Sequence, residues 1–111
     1  MKLTNEFEPI RNWARERNLY ESGNPKTQFV KLGEEFGELA KAILKNDEIE
    51  IQDAIGDMVV VLVNLAHLSG YKIEACINDS YEVIKNRKGK MENNTFVKEW
   101  DGSRLGWASI T

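Results

Sequence analysis

Glu50-Ile51-Gln52-Asp53-Ala54-Ile55-Gly56-Asp57 runs straight into Met58-Val59-Val60-Val61-Leu62-Val63-Asn64-Leu65-Ala66, and this join of acid to apolar decides how the chain is read. A carboxylate at the edge of an apolar run is costly unless something neutralises it. Few Lys or Arg residues lie close by in sequence, which makes a hard divalent cation a serious candidate for that role. The spacing predicts a helix over about 48–68, polar at its start and apolar nearly all round later, as expected of the central helix of a bundle. Ser69-Gly70 closes it, since Gly takes the left-handed conformation that ends helices.

Outward from that segment the periodicity predicts three more helices. Phe7, Ile10 and Ala14 recur at helical spacing, giving an amphipathic helix over about 4–17. Asn18-Leu19-Tyr20-Glu21-Ser22-Gly23-Asn24-Pro25 collects turn formers and reads as a loop. A second helix is expected over about 27–44, with Phe29, Leu32, Phe36, Leu39 and Ile43 on its apolar stripe. Lys45-Asn46-Asp47 is the break before the central helix. A fourth helix over about 73–87 carries Ile73, Ile77, Tyr81 and Ile84. Lys90 to Val97 reads as a short hairpin around Asn93-Asn94, because Asn tolerates the positive φ of such turns. After Trp100 the chain is expected to be irregular. The fold class is therefore all-α and four-helix-bundle-like, with a helical core over 4–87 and a tail over 88–111 in a single domain.

The composition restricts the function classes. At 111 residues with 30% charged and 41% hydrophobic side chains, the chain suits one globular domain. A net charge of -3 provides no general attraction to nucleic acid. The apolar run from Met58 to Leu68 falls well short of the roughly 20 residues that span a bilayer, so neither a nucleic acid nor a membrane is expected as partner. The N-terminus lacks a signal-peptide pattern, and the single Cys76 suits a reducing compartment, so a cytoplasmic protein is expected. Cys76, in a helical apolar pattern, is expected to be a small core residue.

The second acidic cluster is Glu34-Glu35-Phe36-Gly37-Glu38. Residues three or four apart on a helix share a face. Glu35 with Glu38, or Glu34 with Glu38, are therefore neighbours, and on the next helix Glu50, Asp53 and Asp57 are. Packed together, two such faces converge four or five carboxylates, the oxygen-only donor set that Mg²⁺ takes with water and substrate phosphates. The bland alternative is a solvated helix face, since Glu is a good helix former. That reading explains Glu34 and Glu50 as well as a site does. It explains Asp57 poorly, because Asp is a weak helix former placed where six apolar residues follow. Asn64 fits a site or a satisfied core amide equally. Other chemistries lack their residues. His67 is the only histidine, its neighbours are apolar, and Asn64 rather than Glu stands three residues before it, which excludes a Glu-x-x-His di-iron motif. The basic run Lys85-Asn86-Arg87-Lys88-Gly89-Lys90 suits either the negative end of a helix dipole or an anion receptor for a triphosphate.

Lys31-Leu32-Gly33-Glu34-Glu35-Phe36-Gly37-Glu38-Leu39-Ala40-Lys41-Ala42-Ile43, followed by Asp53 to Leu62, resembles the MazG-like all-α nucleoside triphosphate pyrophosphohydrolases, particularly the small single-domain phage-type members. The resemblance spans about residues 5–98. The family motif is Glu-x-x-Glu, a spacer, then Glu-x-x-Asp. Glu35 and Glu38 match the first pair and Asp57 the final Asp, while Ala54 stands where the third acid belongs and Asp53 is its stand-in. The resemblance implies an associating helical bundle, a homodimer or homotetramer. It also implies a Mg²⁺ cofactor, with Mn²⁺ as the alternative ion, and hydrolysis of a nucleoside triphosphate to monophosphate and pyrophosphate. It makes Glu35, Glu38, Asp53 and Asp57 the metal ligands and Glu34, Glu35 and Glu38 the catalytic carboxylates. Lys31, Asn64, Lys85 and Arg87 become the substrate-binding residues. Two competing readings are a non-catalytic helical binding module, favoured by Ala54, and a pyrophosphatase specialised for one deoxynucleotide such as dUTP or dCTP. The base pocket of the latter would draw on Trp13, Phe7 or Tyr81.

Overall fold

The structure, a computed structural model, describes residues 5–99; the irregular tail expected after Trp100 lies outside them. The fold is all-α with one short hairpin. The chain divides into two compact units, one ending at Ile77 and one beginning at Asn78.

In the first unit a 3-10 turn over Asn5–Phe7 leads into α1, Glu8–Glu16. Pro9 lies in its first turn, where a missing N–H costs nothing. Asn18, in the left-handed region at φ 59°, turns the chain into α2, Leu19–Ser22. The segment expected as a loop is thus partly a single helical turn. Gly23 ends that turn with its N–H on the Leu19 carbonyl, and a Cβ there would run into the same carbonyl. The next helix, α3, spans Pro25–Leu44. It begins two residues before the expected Thr27, because Asn24 accepts a hydrogen bond from the Thr27 N–H at 3.0 Å and Pro25 fills the first helical position.

Asn46 at φ 56° reverses the chain, and Asp47 caps α4, Glu48–Leu68, by accepting from the Glu50 N–H at 3.1 Å. The three-residue connection makes α3 and α4 a helical hairpin, and their contact is the most extensive between helices among the described residues. Gly70, at φ 87°, closes α4 as expected, with the Tyr71 N–H reaching back to the Ala66 carbonyl. α5 spans Ile73–Ile84 and ends three residues before the expected 87, where Arg87 donates to the Ile84 carbonyl in a tightened turn.

The core of this unit is thin. Its buried apolar side chains among the described residues are Ala14, Ala42, Ala54, Val61 and Val63. The expected stripe of α3 is only half right: Leu32 and Leu39 are half-buried, but Phe29, Phe36 and Ile43 are exposed. These three recur every seven residues on the flank of the face that α3 turns to α4. On α4, Ile55, Val59 and Leu62 are likewise exposed. Cys76 is exposed rather than in the core, on a helix without a buried side chain.

Charge does some of the packing. Arg11 is 5% exposed, takes the Glu8 carboxylate one turn back and forms a bidentate pair with Glu74 at 2.7 and 2.5 Å. This joins α1 to the first turn of α5. Tyr20 joins α2 to α4 by stacking on His67, with ring centres 3.8 Å apart, and by donating to Asn64 Oδ1 at 2.7 Å.

In the second unit, β1 (Gly89–Glu92) and β2 (Thr95–Lys98) pair antiparallel in the register Gly89 to Lys98 and Glu92 to Thr95. Asn93 and Asn94 both take positive φ, the two-residue turn whose twist matches the strands.

Candidate functional site

Glu35 is the centre of the acidic cluster. It lies on the face of α3 that packs on α4 and is only 6% exposed. Its Oε1 faces Lys31 Nζ at 3.3 Å, one turn earlier, while Oε2 is buried without a hydrogen-bond partner. An unpartnered buried carboxylate oxygen is costly, so it is either strained or awaiting a donor or a cation. The sequence offered Glu34 as the alternative to the preferred Glu35; the structure buries Glu35 and exposes Glu34, which reaches Lys31 Nζ at 3.7 Å.

Across the α3–α4 contact stands Asp57. Burial first, then the charges of Asp53 and Glu35, push its carboxyl above the ordinary carboxylate range, with Lys31 opposing. Asp57 therefore feels an acid on each side, Asp53 one turn back on its own helix and Glu35 on the facing one. Lys31 is held charged by Glu35 in turn. Ala54 is buried, so the position three before Asp57 faces inward. Asp53 is exposed and lines a hollow of about 370 Å³ with Ile49, Gln52, Gly56 and Asp57. It neighbours Asp57 without occupying the place of Ala54. Glu38 is exposed and lines another hollow, of about 440 Å³, with Lys41, Ala42, Lys45, Asp47 and Glu50.

Among the described residues no group of three or more His, Cys, Asp or Glu side chains is gathered closely enough to hold a metal alone. Mg²⁺ does not require one: it is commonly held by one or two carboxylates, with water and substrate phosphates completing the octahedron. The unpartnered Oε2 of Glu35 and the charge-burdened Asp57 suit that mode.

The cationic and amide positions are dispersed. Asn64 is 3% exposed and its Oδ1 is taken by Tyr20, so its carbonyl serves packing. In the second unit Lys85 pairs with Glu82 at 2.5 Å, and a hollow of about 400 Å³ is lined by Lys88, Gly89, Lys90, Val97, Lys98 and Glu99. Neither Lys85 nor Arg87 lines it. Lys98, on β2, enters this basic recess only through the strand pairing, a signal no local run carries.

Sequence reasoning named Trp13 but not its surroundings. Trp13 lines a hollow of about 490 Å³ with Pro9, Ile10, Asp57 and Val60, between α1 and α4. Phe7 is not among the described lining residues.

The fold and these acids are those of a helical hairpin whose two packed helices each carry a carboxylate that the other feels. The chain belongs to the MazG nucleotide pyrophosphohydrolase domain family, whose profile matches residues 24–91. It is 53% identical over 57 residues to an uncharacterized 18.2 kDa protein from the rep-hol intergenic region of Haemophilus phage HP1, a match covering 51% of this chain. The chain spans 35% of that relative's length. No solved structure matches it. None of the described helices is long and apolar enough to cross a membrane.

Proposed function

We propose that this chain is a Mg²⁺-dependent nucleoside triphosphate pyrophosphohydrolase, cleaving (d)NTP to (d)NMP and pyrophosphate, in the cytoplasm and as one domain over 1–111. The observation that carries the proposal is the buried, unpartnered Oε2 of Glu35 beside the charge-burdened Asp57. Of the four acids Glu35, Glu38, Asp53 and Asp57, Glu35 and Asp57 would hold the ion, Mg²⁺ or in its place Mn²⁺, and Asp53 and Glu38 would act through its water shell. When bound, the ion neutralises phosphate oxygens and lowers the pKa of water.

The remaining work falls to the chain. Glu34 or Glu38, both solvent-accessible, orients a water toward the α-phosphorus and accepts its proton. The new bond forms from that water oxygen to the α-phosphorus, and the bond from the α-phosphorus to the bridging oxygen breaks. Pyrophosphate leaves with the electron pair. Lys31, already paired with Glu35, offsets charge on the phosphates. Lys85 and Arg87 are retained as proposed substrate-binding cations of the second unit, while the buried Asn64, its Oδ1 taken by Tyr20, is assigned to packing.

We assign a second copy of the chain to the exposed stripes Phe29, Phe36, Ile43 and Ile55, Val59, Leu62, giving a homodimer or homotetramer. A competing reading is a non-catalytic nucleotide-binding module, favoured by the buried Ala54 in the place of an acid. Pyrophosphate release from a panel of ribo- and deoxynucleoside triphosphates with Mg²⁺ separates them: turnover supports the enzyme, and binding without turnover the module.

A further inference from the structure

Two recesses of unlike chemistry meet at Asp57. On one side lies the acidic hollow of Ile49, Gln52, Asp53 and Gly56; on the other lies the apolar hollow of Pro9, Ile10, Trp13 and Val60. A nucleoside triphosphate is built the same way, with an anionic chain that travels with a cation at one end and a flat, apolar-faced ring at the other. We propose that the hollow between α1 and α4 receives the nucleobase, with Trp13 as the side chain on which it packs. The proposal rests on the pyrophosphohydrolase reading and adds the base subsite to it.

Trp13 is suited to the task. Trp13 is 47% exposed, which leaves part of its large apolar ring surface open to a ligand. The Arg17 guanidinium lies over the ring, 4.5 Å from its centre, and donates to the Trp13 carbonyl at 3.1 Å. That contact holds the indole in place. Arg17 does not line the hollow, so it does not fill the space in which a second ring would pack. At about 490 Å³ the hollow falls in the size range of small-ligand sites.

Among the described residues of the lining the polar side-chain groups are the Asp57 carboxylate, assigned to the ion, and the Trp13 indole N–H. Stacking and apolar contact are what this described lining chiefly offers a base. Such sites discriminate by about 10- to 200-fold, against 10⁴ or more where a polar edge is read. Purines, with the larger stacking face, are the substrates expected to gain most from Trp13.

Steady-state kinetics of Trp13→Ala and Trp13→Phe test this, with ATP, GTP, CTP and UTP as substrates and inorganic tripolyphosphate as a base-free competitor. For Trp13→Ala we expect the purine KM to rise about 5- to 100-fold with kcat little changed, recovery in Trp13→Phe, and an unaltered inhibition constant for tripolyphosphate. A KM for ATP that moves no more than the tripolyphosphate constant overturns the proposal. Fluorescence of Trp13 in a chain with Trp100→Phe and Trp107→Phe supplies a readout that needs neither turnover nor a change at Trp13. Saturable quenching by ATP, absent with tripolyphosphate, supports the subsite even if no nucleotide is hydrolysed, an outcome that sinks only the parent reading. Absence of quenching, as when a second copy fills the hollow, overturns the subsite while leaving hydrolysis intact.

Discussion

Lys31 Nζ stands 3.3 Å from Glu35 Oε1, one helical turn away, and leaves Oε2 of the same buried carboxylate without a partner. Half of the charge is answered from within α3; the other half faces α4, where Asp57 adds a second negative charge instead of a cation. Such an arrangement costs stability in the free protein and is relieved when a cation arrives.

Asp57→Ala is expected to lower pyrophosphate release by about 100-fold or more, as loss of a metal-holding group does, while leaving the helical circular-dichroism signal unchanged. The same variant should melt at an equal or higher temperature. The sign follows from the raised carboxyl: the folded state holds the proton more tightly than the unfolded chain, so ionised Asp57 lowers stability at neutral pH. Wild-type turnover in Asp57→Ala across a Mg²⁺ titration would show that the metal assignment is wrong.

Millimolar Mg²⁺ should raise the melting temperature of the wild-type chain, since an ion that binds only the folded state stabilises it by mass action. Glu35→Gln should lose most of that shift, and Glu34→Gln should keep it, because only Glu35 is buried against α4. Equal shifts in both variants, read by calorimetry, would separate the ion from Oε2 of Glu35.

The Arg11–Glu74 pair makes an acid-sensitive clasp. Hydrogen bonds from Arg11 hold the Glu74 carboxyl at about 2, below its ordinary 4.5. A depressed carboxylate contributes stability above its unfolded value and loses it as the pH falls toward the folded one. Wild-type stability should therefore drop between pH 4.5 and 2, and Glu74→Gln should flatten that drop at a cost of about 2 kcal/mol at neutral pH. Denaturant midpoints that fall equally in both proteins across this window would assign the acid sensitivity elsewhere.

Phe36→Glu or Ile55→Glu should convert an oligomer into monomers. Both side chains are more than half exposed in one copy, where a charge costs little, and both lie on stripes assigned to a second copy. Light scattering should give at least twice 12.7 kDa for the wild type at micromolar concentration. A mass near 12.7 kDa would contradict the assignment of the stripes.

Helix ends were legible in the sequence because the signals are local. Asp47 caps α4, Gly70 closes it, and Asn93-Asn94 makes the hairpin turn, each through groups within a few residues of itself. The placement of the acids on α3 and α4 was legible too, from their spacing. Where a local signal cuts both ways, only the structure decided: Pro25 opens α3 instead of ending a loop, because Asn24 caps it. Which face of a helix is covered was not legible at all. Periodicity defines faces only relative to one another, so Phe29, Phe36 and Ile43 read as core until α4 packed on the adjoining face, that of Glu35 and Ala42. The same holds for Arg11, a charge buried because Glu74 comes to it from 63 residues away, for Tyr20 against Asn64 and His67, and for the exposed Cys76. The sequence alone determined the elements and the acids they carry. Tertiary packing alone buried Glu35, turned Ala54 inward and set Trp13 beside Asp57, because burial depends on partners that no local stretch of chain contains.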